Sequence, residues 1–200
     1  MLQAPMFDGA TYEGVNLRFR FRGDFMKRFQ PSKQGGLDNL CGLYCIINAV
    51  RFFEANSKHR SEDAELFKRL IEILSPLMSL SGALVNGIPL PKLRSLAIAA
   101  GADSKVKFSV TPLKQFSRFH RLQSIVDVSR RVCEQGGVVL CHLEPTQDHS
   151  GHWTLIIRAT EKRLYLLDSS NFPSYFNTSR IGRAQRIDTE EGLVFVPTGI

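Results

Sequence analysis

The spacing of apolar and polar residues changes character several times along the chain. At 15–22, Val15, Leu17, Phe19 and Phe21 alternate with Asn16, Arg18, Arg20 and Arg22. That predicts a half-buried strand with a basic outer face. From Cys41 to about Glu54 the apolar residues are nearly continuous, the pattern of a buried helix. Ser61 is a candidate N-cap followed by Glu62 and Asp63, and Ala64, Phe67, Leu70, Ile71 and Leu74 recur at helical spacing until Pro76. Residues 82–91 read as a loop. Leu93, Leu96, Ala97 and Ala100 then predict a short helix ended by Gly101. Residues 105–110 suggest a short strand, and Thr111-Pro112 an N-cap with Pro at the first helical position. A further helix is expected at about 122–135, stopping at Gly136-Gly137.

Beyond that point the period shortens. Residues 138–143, 153–159 and 164–167 are β-branched or aliphatic runs, and Glu161-Lys162 connects the last two as an antiparallel hairpin. Residues 192–196 predict a final strand. Helices precede strands, which points to an α+β arrangement in a single domain. Its expected parts are an N-terminal strand and extension (1–30), a mostly helical half (31–135) and an antiparallel sheet half (136–200).

Composition narrows the class only modestly. The chain has 200 residues, 43% of them hydrophobic and 22% charged, enough apolar material for a real core. No apolar run is long enough to span a bilayer, and no secretory-signal pattern opens the chain. The expected location is cytoplasmic, or outside the cell by a route without a classical signal peptide. A net charge of +7 favours acidic partners. There is no long basic tract and no nucleic-acid motif, so the solvated face is the default reading of the arginines. All four cysteines read as reduced thiols, since Cys41 and Cys45 lie one helical turn apart in poor geometry for a disulfide.

Candidate chemistry centres on 34–48, Gln-Gly-Gly-Leu-Asp-Asn-Leu-Cys-Gly-Leu-Tyr-Cys-Ile-Ile-Asn. A turn runs directly into Cys41, which opens the helix. Unpaired N–H groups at a helix start favour negative charge and suit a nucleophilic thiolate. Gln34 can offer an amide N–H to an oxyanion beside the sulfur. Downstream, His152 begins an apolar strand and Asp168 ends the strand paired with it. A hairpin places those two positions side by side. A thiol nucleophile needs an imidazole to take its proton, and the imidazole needs a carboxylate or amide to orient it.

This order of residues resembles the papain-like cysteine peptidases, in particular the bacteriocin-leader-peptidase-like domains and, more loosely, the Josephin-type deubiquitinases. The likeness covers about 30–170 and rests on Gln34, Cys41-Gly42, the run 136–143, Gly151-His152 and Leu167-Asp168, with Cys45-Ile46-Ile47-Asn48 and His152-Trp153 on the Josephin side. It implies a papain-like fold with a nucleophile helix packed on an antiparallel sheet. It also implies Cys41 as nucleophile, His152 as general base and then acid, and Asp168 as orienting group. Gln34 and the Cys41 N–H would form the oxyanion hole. Two departures stand out. Gln34 lies further from the cysteine than is usual, with Asn39 as an alternative donor, and Ser169-Ser170 follow Asp168 where the leader-peptidase-like group has Pro.

The implied function is a thiol hydrolase cleaving a peptide or isopeptide bond in a protein or peptide substrate, acidic substrates included, with no cofactor. Glutamine deamidation or acyl transfer by the same triad, and a catalytically silent peptide-binding module, are the alternatives. Cys45 and Cys133 read as core and packing residues, and His59 and His120 as surface. Cys141, His142, Asp148, His149 and His152 form a rival metal-binding set. Neighbours on a strand point to opposite faces, however, so Cys141 and His142 cannot share one ion. His149 is a secondary candidate base.

Overall fold

The structure is a computed structural model that describes residues 31–34, 39–54, 60–120, 124–144, 151–170, 174–181 and 187–198. The predicted strand at 15–22, His59, Asp148 and His149 lie outside the described residues. Among those described, six helices accompany one six-stranded antiparallel sheet. The helices are α1 (Cys41–Phe53), α2 (Arg60–Leu74), α3 (Leu80–Asn86), α4 (Leu90–Asp103), α5 (Leu113–His120) and α6 (Ile125–Glu134). The strands are β1 (Phe108–Pro112), β2 (Val138–Leu143), β3 (His152–Ala159), β4 (Arg163–Leu167), β5 (Tyr175–Asn177) and β6 (Ile187–Pro197), in the spatial order β1-β6-β2-β3-β4-β5. The architecture is α+β.

Strand alternation divides the apolar residues between two cores. Val138 and Leu140 of β2, Trp153, Leu155 and Ile157 of β3, and Leu193 and Phe195 of β6 join α1, α2 and α4 on one side. Val139, Cys141 and Leu143 of β2, Ile156 of β3 and Val194 of β6 meet α5 and α6 on the other. α1 can run against the sheet because nearly all its residues are buried, including Leu43, Ile46, Ile47 and Ala49. Gly42 lets α1 approach α4, since a Cβ there would lie 2.7 Å from the Leu93 side chain.

Several boundaries differ from the sequence expectation, each for a physical reason. The expected loop at 82–91 contains α3, whose N-cap Ser79 accepts from the Gly82 N–H at 3.2 Å, and the start of α4. Pro91 sits in the first turn of α4, where a missing N–H costs nothing. Gly101 does not end that helix; it lies inside it, against the Phe108 ring, where a Cβ would come within 2.9 Å. Arg60 and Ser61 are both within α2, so Ser61 is not its cap. Thr111 and Pro112 belong to β1 instead of capping α5, because they pair with Val194 and Leu193 of β6. The expected short final strand is the eleven-residue β6, which carries the register between β1 and β2.

α6 begins three residues later than expected, at Ile125, because Ser124 caps it by accepting from the Asp127 N–H at 3.1 Å. It ends as the sequence suggests. Gly136 takes a φ of 74°, and the Gly136 and Gly137 N–H groups bond to Cys133 and Val132 carbonyls at 3.0 and 2.9 Å. That is a Schellman ending, which needs glycine at the left-handed position. No helix among the described residues is long and apolar enough to cross a membrane.

Candidate active site

Three elements deliver three side chains to one end of the sheet. Cys41 is the first residue of α1, preceded by Leu40, which makes no side-chain cap, and its first turn holds no acid. The opening N–H groups of such a helix have no intrahelical acceptor, and their partial positive charge faces the thiol. His152 is the first residue of β3, and Asp168 stands one residue past the end of β4. The β3–β4 register pairs Leu155 with Leu167, so the histidine and aspartate meet at the open end of the hairpin.

His152 Nε2 and Asp168 Oδ2 are 2.9 Å apart, and both residues are under 10% exposed. The second ring nitrogen is thereby left for the thiol of Cys41, whose proximity contributes to the imidazole's pKa. Burial alone would lower the imidazole pKa. The hydrogen bond to Asp168, the nearby Cys41 sulfur and the negative charge of both overcome it and raise His152 to about 9. Burial conversely raises Asp168, but the His152 hydrogen bond and charge, with donors including Ser170, hold it below its ordinary value. Both shifts favour a charged imidazolium–carboxylate pair.

Ser170 completes the carboxylate shell. Its N–H and Oγ–H donate to Asp168 Oδ1 at 2.8 and 2.6 Å, leaving Oδ2 to the imidazole. This Asx turn is what the chain builds with Ser169-Ser170, its second departure from the resembling family. Gln34 is fastened to the same turn, since its N–H donates to the Ser169 carbonyl at 2.9 Å. Asn39 is drawn elsewhere: its Nδ2 donates to the Val85 carbonyl at 2.6 Å and its N–H to the Leu84 carbonyl at 3.1 Å, tying it to α3.

The other thiols differ from Cys41. Cys45 is fully buried and donates to the Trp153 carbonyl at 3.3 Å. Burial, then the negative charge of Asp168 and the neighbouring cysteines, pushes its pKa well above the usual thiol range. Burial pushes Cys141 and Cys133 up to about 12. Cys141 lies in the core on the α6 face, while His142 packs at a tilt against Trp153 with ring centroids 4.8 Å apart on the opposite face. Among the described residues no group of three His, Cys, Asp or Glu side chains is arranged to hold a metal ion. His120 is half-buried against the Phe116 ring at 4.3 Å, less exposed than its polar surroundings in sequence suggest.

Sequence reasoning missed Ser170, although a serine two residues after an aspartate is a readable turn signal. It also gave no role to Asn48, the polar residue deepest in an apolar helix. The chain matches no protein-family model and no curated protein.

Proposed function

We propose that this chain is a papain-like cysteine hydrolase acting on a peptide or isopeptide bond of a protein or peptide substrate. The observation that carries the reading is the meeting of Cys41, His152 and Asp168 from a helix start, a strand start and a strand end, with the imidazole bonded to the carboxylate and close to the thiol. In this mechanism the Cys41 thiolate attacks the carbonyl carbon while His152 is imidazolium. The Cys41 N–H and the Gln34 side-chain amide stabilise the oxyanion. His152 then gives its proton to the leaving amine, the C–N bond breaks, and a thioester remains on Cys41. Water, deprotonated by the now neutral His152, releases the acid. Asp168 keeps the ring oriented throughout.

The testing experiment is the rate of Cys41 alkylation by iodoacetamide against pH, in the native protein and in His152→Ala, with mass mapping of the labelled thiol. Fast labelling of Cys41 well below pH 8, lost in His152→Ala, is the expected result. A free-thiol profile that ignores the histidine would reduce the chain to a binding module. Product masses on a protein substrate then identify the reaction. Hydrolysis cuts the chain, whereas glutamine deamidation leaves it whole and about one dalton heavier.

A further inference from the structure

A second buried polar cluster lies about two turns further along α1 from the nucleophile. Asn48 is fully buried in a helix that is otherwise almost wholly apolar. Its amide engages both backbone groups of one distant residue. Oδ1 accepts from the Ser32 N–H at 2.8 Å, and Nδ2 donates to the Ser32 carbonyl at 3.3 Å. The Ser32 hydroxyl is held as well, donating to Asp63 Oδ2 at 2.7 Å and accepting from Arg51 Nη1 at 3.0 Å. Arg51 and Asp63 are themselves paired at 3.3 Å. Two residues on, Gln34 bonds to Ser169. Residues 31–34 therefore form a strap, fixed at Ser32 to α1 and α2 and at Gln34 to the turn that carries Asp168.

A primary amide inside an apolar helix is costly unless its donors and acceptor are matched, and a leucine would pack there without that demand. What the amide provides is a hold on a segment with little apolar surface of its own. We propose that Asn48 is a positioning residue, holding the strap so that Gln34 stands at the catalytic turn. The proposal rests on the hydrolase reading, in which Gln34 donates to the oxyanion. Such donors are effective when they are in place before charge develops. Cys41 and Asn48 share one rigid helix, so the nucleophile and the strap's anchor move together. Asn48 itself touches no reacting atom.

The test compares two reactions of Cys41 in the native chain, Gln34→Ala, Asn48→Ala, Ser32→Ala and the Gln34→Ala/Asn48→Ala double variant. Acylation by p-nitrophenyl acetate passes through an oxyanion: the S–C bond forms, the ester C–O bond breaks and p-nitrophenolate leaves. Alkylation by iodoacetamide forms no oxyanion. Asn48→Ala is expected to slow the acylation burst about a hundredfold, the lower end of the range for a lost oxyanion donor. Its alkylation rate and pH profile should be unchanged. The double variant should be no slower than Gln34→Ala alone, because both changes remove the same interaction.

Ser32→Ala removes the two hydroxyl bonds, to Asp63 and from Arg51, while the backbone bonds to Asn48 remain, and should lose about fivefold. Asn48→Leu, which removes both bonds to the strap and refills the position with apolar volume, carries the test if Asn48→Ala does not fold. Native acylation rates in the strap variants, or losses that multiply in the double variant, would overturn the positioning role and leave the triad standing. A native Cys41 that is neither acylated nor rapidly alkylated would overturn the hydrolase reading and the positioning role together.

Discussion

The first and second turns of α1 each present a cysteine to the same residue of β3, and the two are treated in opposite ways. Trp153 offers its N–H to Cys41 Sγ at 3.5 Å and its carbonyl to the Cys45 thiol at 3.3 Å. A peptide N–H stabilises a sulfur anion, whereas a peptide carbonyl requires S–H. Cys41 also has the imidazole, while Cys45 has burial and the nearby Asp168 charge, both of which favour the neutral thiol. A single helical turn thus separates a sulfur that accepts from a peptide N–H from one that must keep its own proton to donate to a carbonyl. Helix position and the half of the peptide unit encountered decide a cysteine's chemistry here.

The largest effect should come from making one substitution at both positions. Cys41→Ser is expected to lower acylation by about 10⁴-fold or more, because a serine hydroxyl beside this imidazole is a far weaker nucleophile than a thiolate. Cys45→Ser keeps a donor for the Trp153 carbonyl and should change the rate by less than about threefold, with a stability cost of about 1 kcal/mol in a urea titration. Comparable rate losses at both positions would erase the distinction.

Next in size is the dependence on the imidazole. Removing the imidazole removes the base that takes the thiol proton, so His152→Ala should slow Cys41 alkylation at pH 6 by about a hundredfold. Cys45 should stay unlabelled in both proteins until they are denatured.

The pH profile sharpens the same contrast. With His152 raised to about 9, the proton for the leaving group is present through neutrality, and acylation of Cys41 by an amide substrate, whose amine leaves, should fall along a limb near pH 9. Asp168→Asn removes the main raising partner and should move that limb toward 6.5, the ordinary imidazole value. The linkage sign follows. A raised folded pKa gives a stabilisation that is complete below about 6.5 and is lost as pH climbs to about 9. Asp168, lowered from 3.8, contributes stability above that value and loses it as acid protonates the carboxylate. Melting temperatures of the native protein and His152→Ala should therefore converge between pH 6.5 and 9.

What could be read from sequence was local. Cys41 at a helix start, His152 at a strand start and Asp168 at the end of its hairpin partner follow from periodicity and the geometry of one antiparallel pair. The rest depended on contacts between distant segments. β1 joins the sheet through β6, which lies over seventy residues away (112 to 187) and whose pairing leaves no local mark. α3 was hidden by Gly82 and the prolines around it, yet α3 is what engages Asn39, while the Gln34 backbone bonds to the turn after Asp168. Gly101 looks like a helix stop because packing against Phe108 is invisible in a single segment. Asn48 entered the sequence reading only within the runs 34–48 and 45–48 and without a role, because its partner Ser32 lies sixteen residues away.

The smallest expected effect concerns Ser170, and it tests how finely the Cys41 site is tuned. Both Ser170 donors converge on Asp168 Oδ1, but only one comes from the side chain. Ser170→Ala keeps the backbone N–H bond and the turn, and removes the 2.6 Å hydroxyl bond. Losing one hydrogen bond to a charged acceptor in a partly buried setting leaves the carboxylate less well held. Two outcomes follow from the position of that bond. Asp168 becomes easier to protonate, so the acid limb of Cys41 acylation should move upward in pH. The alkaline limb should hardly move, since Oδ2 still faces His152. A rate loss approaching about fivefold below pH 4, shrinking toward neutrality, is the expected signature. A uniform loss at every pH would mean that Ser170 shapes the turn without tuning the carboxylate, and a loss confined to the alkaline side would place its effect on the imidazole. Cys45, sealed in the core, should register none of these changes.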